Sequence, residues 1–352
     1  VDNTMMSFIF LSAGLFMGWS LGANDAANIF GTAVGTRMVK FTTAAIIASV
    51  FISLGAFISG SGASHTLGSL GAINAIGGSF AVSASAAFTV MLMTGKGLPV
   101  STSQAIVGAI IGWNIFSGNP TDASVLTKIA STWVFTPILA AMFAIVFFWI
   151  IKVGIEKMDV HLVKLYKYNR LALLLAGAFG AYSLGANNIA NVMGVFINVS
   201  PFETLTLPWG GLLTSTQQLF LLGGLAIAVG VFTYSKHVMM TVGKSIFKLS
   251  PISAFIVVMA SSAVLFLFAS EGLYNFLTTR GLPAFPLVPV SQSQAVVGAI
   301  MGIGIAKGAR GINYKQLLRI GSGWIMTPVI SLIISLLSLY VLQNVFLQVV
   351  YY

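Results

Sequence analysis

Leu21-Gly22-Ala23-Asn24-Asp25-Ala26-Ala27-Asn28 returns 163 residues later as Leu184-Gly185-Ala186-Asn187-Asn188-Ile189-Ala190-Asn191, each copy at the end of a long apolar stretch. A second pair follows the first in both places. Pro99-Val100-Ser101-Thr102-Ser103-Gln104-Ala105-Ile106-Val107-Gly108 reappears as Pro289-Val290-Ser291-Gln292-Ser293-Gln294-Ala295-Val296-Val297-Gly298, an offset of 190. Two motifs repeated in one order mean a duplicated chain, which divides into a first repeat, 1–170, and a second, 171–352.

The composition around these motifs sets the solvent. The 352 residues are 57% hydrophobic and 7% charged, far below the roughly one quarter charged in soluble domains, so the chain cannot present a solvated surface all round. Apolar segments lie at about 5–23, 42–60, 80–94, 102–116, 131–151, 171–186, 212–234, 252–269, 294–306 and 323–347. A bilayer crossing needs about 20 residues, so several are too short to cross alone. The first has no basic residue ahead of it and reads as a retained helix, not a signal peptide. An all-α integral membrane protein follows.

The net charge of +10 sits in short connections, without aromatic interleaving or a soluble domain to carry it. It therefore reports orientation and not nucleic-acid binding. Cysteine is absent, which excludes disulfides, thiolate metal sites and a cysteine nucleophile. Gly243-Lys244-Ser245 lacks the earlier glycine of a nucleotide-binding loop, so ATP-driven pumping is disfavoured. His65, His161 and His237 share no metal-ligand spacing.

Lys152, Lys157, Lys164, Lys167 and Arg170, then Lys236, Lys244 and Lys248, then Lys307, Arg310, Lys315 and Arg319 mark three connections for the cytoplasm. Arg37 and Lys40 join them by parity, and both chain ends fall outside. The first Gly-Ala-Asn segment then runs inward and its twin outward. The repeats are inverted whether the pairs 80–94/102–116 and 252–269/294–306 cross twice or form re-entrant hairpins. Inverted repeats with broken helices are a recurring plan of secondary transporters, whose ligands bind where the repeats meet.

Asp25 is the one acid within the apolar segments, and burying it in a membrane helix costs about 2.5–3.5 kcal/mol on insertion scales. Asn24, Asn28 and the nearby Gly22 and Gly31 offer amide oxygens and a backbone able to unwind around a hard monovalent cation. A polar cap or packing patch is the plainer explanation, which duplication disfavours. Asn188 replaces the acid in the second copy, so a second site of Asn188, Asn191 and carbonyls is neutral. The Pro-Val-Ser-x-Ser-Gln turns put hydroxyls at two helix N-termini, where unpaired N–H groups can cradle an anion. N-capping is their plainer role. The glycines of Val107-Gly108 and Val297-Gly298 read as close helix packing, and Trp133-Val134-Phe135-Thr136-Pro137 with Trp324-Ile325-Met326-Thr327-Pro328 as kinked helices whose threonines could lend oxygens. Lys96 stands as a loop charge or an anion attractor.

Together the four motif copies, with Thr241–Pro251, make the chain resemble the inorganic phosphate transporter (PiT) family over essentially its whole length. The resemblance implies an inverted-repeat helical fold with broken helices and re-entrant hairpins, no enzymatic activity, cation-coupled symport of inorganic phosphate, and a homodimer. It assigns cation coordination to Asn24, Asp25, Asn28, Asn187, Asn188 and Asn191, and phosphate contacts to Ser101, Thr102, Ser103, Gln104, Ser291, Gln292, Ser293 and Gln294. Many members carry Asp at the position of Asn188 and often His at those of Gln104 and Gln294. Losing these proton carriers favours sodium ions as the co-transported cargo. A plasma-membrane carrier using alternating access is expected, with no nucleic-acid partner and no organic cofactor. Proton coupling, metal-phosphate carriage, sulfate or arsenate as substrate, and an anion channel are the alternatives.

Overall fold

A computed structural model of the chain describes residues 3–96, 99–157, 161–208, 210–236, 238–239, 249–309 and 312–352. The Gly243–Ser245 triplet, Lys244, Lys248, His237, Arg310 and most of Thr241–Pro251 lie outside the described residues.

Twelve α-helices are present among the described residues: α1 (Asn3–Gly35), α2 (Phe41–Ser59), α3 (Ser61–Gly71), α4 (Ile76–Gly95), α5 (Thr102–Ser117), α6 (Ala123–Lys157), α7 (Leu162–Met193), α8 (Ser215–Thr233), α9 (Pro251–Leu267), α10 (Glu271–Thr278), α11 (Gln292–Ala306) and α12 (Tyr314–Asn344). A 3₁₀ turn (Gly194–Val199) and a two-stranded ribbon, Leu205–Thr206 with Leu212–Leu213, join α7 to α8. Each of the ten apolar segments has its helix. Among the described residues six helices are long and apolar enough to span a membrane, and α9 with α10, bent by 63°, makes a seventh if counted as one span.

The two halves run in opposite senses. Along α1 and α7, Gly14 lies against Met193, Gly18 against Val192, Gly180 against Ile29 and Gly177 against Phe30, an antiparallel register. The halves also exchange partners. α1 packs on α8 as α7 packs on α2, and α5 lies along α12 as α11 lies along α6.

Small residues permit these contacts. A Cβ at Gly22 would collide with the Ile227 carbonyl and one at Gly185 with the Ile52 carbonyl. Gly108 and Gly298 are held equally close to the carbonyls of Pro328 and Pro137. Without a hydrophobic drive between helices in lipid, backbone proximity of this kind supplies much of the association energy.

Breaks occur where α2 gives way to α3 at Gly60 and where α9 gives way to α10. The half-length helices α5 and α11 begin inside the protein, after extended segments at Val100–Ser101 and 282–291. The backbone at Asn24–Asn28 and Asn187–Asn191 does not unwind, contrary to the expectation for its glycines. Both motifs stay helical within α1 and α7, because Gly22 and Gly185 are consumed by helix packing.

Candidate functional site

The four motif copies converge on one buried cluster. Ser101, Thr102, Ser103, Gln104, Ser291, Gln292, Ser293 and Gln294 are all buried, as are Asn24, Asp25, Asn28, Asn187, Asn188 and Asn191.

Each half first anchors its own hairpin. Asn24 Nδ2 donates to the Val100 carbonyl at 2.9 Å. Its counterpart Asn187 donates to the Val288 carbonyl at 2.9 Å and accepts from the Val290 amide at 2.7 Å. These asparagines clamp the extended strands that lead into α5 and α11. Ser101 and Ser291 then cap the helices, accepting from the amides of Gln104 and Gln294 at 3.2 and 3.3 Å. The capping role weighed for these serines is therefore real, and it aims the N-termini of α5 and α11 into the cluster.

Around Asp25 the polar groups are closely matched. Thr102 Oγ1 donates to Asp25 Oδ2 at 2.6 Å and Asn24 Nδ2 to Oδ1 at 3.0 Å. The cluster then crosses between halves. Ser103 Oγ lies 3.4 Å from Asn188 Oδ1 and 3.2 Å from the Val290 carbonyl, while Asn191 Nδ2 donates to Ser103 Oγ at 2.9 Å and to Asn188 Oδ1 at 2.8 Å.

Several groups have no partner among the described residues. These are the donors Asn28 Nδ2 and Asn188 Nδ2, the acceptor Asn191 Oδ1, and both amide atoms of Gln292. Buried polar atoms are seldom left unpaired, and leaving one so costs about 1–3 kcal/mol. Five in one cluster, beside two helix N-termini and a carboxylate, suit small ions of both signs. Donors fit an oxyanion, and carboxylate and amide oxygens fit a hard cation.

Gln104 and Gln294 follow the two capping serines by three residues. They line a cavity of about 910 Å³ with Trp133, Trp324, Pro328 and the first turns of α12, and their Oε1 atoms lack donors. Trp133 and Trp324 thus pack behind the hairpins. Thr327 is spent on the Gly323 carbonyl at 2.6 Å, whereas Thr136 Oγ1 is buried without a partner. Lys96 lies at the end of α4, exposed, its carbonyl accepting from Arg319 Nη2 at 3.3 Å.

Sequence reasoning missed Thr94, whose Oγ1 reaches Asn24 Oδ1 at 3.5 Å. It also missed the carbonyls of Val100, Val288 and Val290. Thr94 belongs to no repeated motif. Val100 and Val290 stand beside motif serines and Val288 just ahead of the second motif, but all three contribute only backbone, which side-chain patterns do not report.

The profile of the phosphate transporter family matches residues 21–168, 155–335 and 284–351. A Methanocaldococcus jannaschii protein provisionally named a phosphate permease is 28% identical, over 90% of this chain and 91% of its own. Sulfate permease CysP of Bacillus subtilis is 31% identical, over 96% of this chain and 87% of its own. A solved structure described as the sodium-dependent phosphate transporter superposes with a TM-score of 0.77 at 24% identity, covering 96% of this chain and 99% of that one. The last likeness establishes the fold.

Proposed function

Because the chain belongs to the phosphate transporter family, we propose that it carries out sodium-coupled symport of inorganic phosphate, with residues 1–170 and 171–352 as repeats that rock about the shared cluster. One observation carries the reading. The Pro-Val-Ser hairpin of the first repeat is bonded to the Asn motifs of both repeats, through Thr102 to Asp25 and through Ser103 to Asn188 and Asn191.

The chemistry follows from charge. A phosphate with one or two negative charges cannot shed water into the lipid slab beside Asp25 unless cations neutralise both. Asp25, with Asn24 and Asn28, supports one sodium ion, and Asn188 and Asn191, with the clamping Asn187 behind them, support a weaker second. Their positive charge makes the N-termini of α5 and α11 attractive to the anion, which Ser101, Thr102, Ser103, Ser291, Gln292 and Ser293 can hydrogen-bond, with Gln104 and Gln294 bordering the cradle. Unit charges 4 Å apart at an effective dielectric near 20 attract by about 4 kcal/mol, enough to make anion affinity strongly dependent on cation occupancy. Coupling results when half-loaded protein rarely changes face. The close α5/α12 and α11/α6 contacts allow each hairpin to move with a long helix of the other half.

Orientation rests on the basic connections. Lys152, Lys157, Lys164, Lys167, Lys315 and Arg319 assign their face to the cytoplasm and both termini to the outside of a plasma membrane. The homodimer rests on the family resemblance.

A second reading, sulfate as cargo, is favoured by the Bacillus subtilis relative's name and by the neutral donors, which fit either tetrahedral anion. The test is uptake of labelled phosphate and of labelled sulfate into proteoliposomes, under a sodium gradient or a pH gradient. Sodium-driven phosphate uptake that excess sulfate leaves unchanged supports the proposal. Sulfate uptake without phosphate uptake replaces the substrate, and uptake driven by pH alone replaces sodium.

A further inference from the structure

The second cluster lacks an acid, and the structure places one nearby that no motif announced. Glu271 stands 175 residues after Lys96, the offset that also relates Ile52 to Ile227 and Gly55 to Gly230. α4 packs on α1 as α9 packs on α7, so the two positions are counterparts in the inverted halves. Their charges are opposite. Lys96 lies just beyond Thr94, which touches Asn24 of the acidic cluster. Glu271 lies just beyond Ala269, on the side of the neutral cluster.

Glu271 borders a cavity of about 390 Å³ with Ser59, Tyr182, Ala186 and Ser270. Ala186 is the residue before Asn187, so this space reaches the second Asn motif. The polar side chains among its lining residues all end in oxygen. Ser59 Oγ and the Tyr182 hydroxyl are 2.7 Å apart, and Ser61 Oγ donates to Glu271 Oε1 at 2.8 Å. Among the described residues no ion pair reaches Glu271, the sole recorded pair being Lys152–Glu156. One carboxylate with neutral hydroxyls matches a hard monovalent cation, whereas divalent ions favour more carboxylates or fixed nitrogen and sulfur donors.

We infer that the Glu271 cavity is a vestibular binding site for a monovalent cation, sodium on the reading above, which it delivers to Asn188 and Asn191. The carboxylate missing from the second cluster thus stands at its entrance. Glu271 starts α10, just past the end of α9 opposite Ser253, the residue that receives Lys307 Nζ at 2.8 Å, and hence lies away from the basic connections. A cation arriving there meets a local negative potential in a positively charged protein.

The experiment is sodium-dependent phosphate uptake by wild type, Glu271→Gln and Glu271→Asp in proteoliposomes. Glu271→Gln is expected to raise the sodium concentration for half-maximal uptake roughly fivefold or more, with the rate at saturating sodium preserved. Glu271→Asp restores most of the affinity. A sodium curve for Glu271→Gln that superposes on wild type overturns the vestibule alone. Wild-type phosphate uptake indifferent to sodium overturns the coupling reading, and the sodium vestibule with it. Should Glu271→Gln fail to fold, Ser59→Ala with Tyr182→Phe is scored by the same criterion: a shifted curve supports the site and an unmoved one overturns it.

Discussion

In the first half the buried cluster is organised by a carboxylate, with Thr102 donating to Asp25 at 2.6 Å. In the second half the same positions hold Gln292 and Asn188, and the Gln292 side chain has no partner among the described residues. The framework around them is nonetheless the same, because Asn24 and Asn187 clamp equivalent strands and Ser101 and Ser291 cap equivalent helices. Packing has been kept alike in the two halves while charge has diverged. On the proposed function, a carrier of two cations with one anion gains from such a difference, since a strong and a weak site fill and empty in order.

Breaking the shared part should do the most damage, and equally in both halves. Gly22→Leu and Gly185→Leu each drive a side chain into a facing carbonyl, with an overpacking cost of about 1–3 kcal/mol or more. Little folded protein is expected from either variant, read as the monodisperse fraction in detergent. A well-folded Gly185→Leu beside a failed Gly22→Leu would mean that the packing symmetry is superficial.

The divergent part should respond unequally. Asp25→Asn makes both clusters neutral and should lower uptake at moderate sodium by about a hundredfold. Asn188→Ala, which strips a partner from Ser103 and Asn191, should cost about tenfold. Equal losses would show that the acid has no special part.

The smallest contrast lies at the helix starts outside the core. Asp122 caps α6, accepting from the amides of Ser124 and Val125 at 2.8 and 3.1 Å. Its counterpart Asn313 caps α12, accepting from Gln316 at 3.1 Å. The Val125 and Ser124 N–H groups hold the Asp122 carboxyl below the ordinary carboxylate value of 3.8. A lowered folded value contributes stability above the ordinary range and loses it as pH falls through the folded value. Thermal unfolding between neutral and acid pH should therefore lose a small increment at the acid end in wild type. That increment disappears in Asp122→Asn and persists in Asn313→Ala.

Much of this was legible from the repeats. Apolar runs located every long helix, and the paired motifs identified the residues that meet, because duplication of polar residues inside membrane segments has few other causes. Other features were not legible. α3 contains Ser61, Ser64, His65, Thr66 and Ser69, and α10 spans only eight residues, so neither produces an apolar run. The expected unwinding at Gly22 failed because a glycine's freedom and its smallness look identical in sequence, and here smallness prevails. The exchange of helices between halves, and the Lys96–Glu271 correspondence, depend on three-dimensional pairing that no local pattern encodes.

Equilibrium binding of labelled phosphate to purified protein, in sodium chloride against choline chloride, tests the electrostatic core of the account most directly. Tight binding in sodium that disappears in choline, and that is lost in Asp25→Asn, is the predicted result. Equal binding in both salts would contradict it, since the anion would then be held without cations to neutralise it.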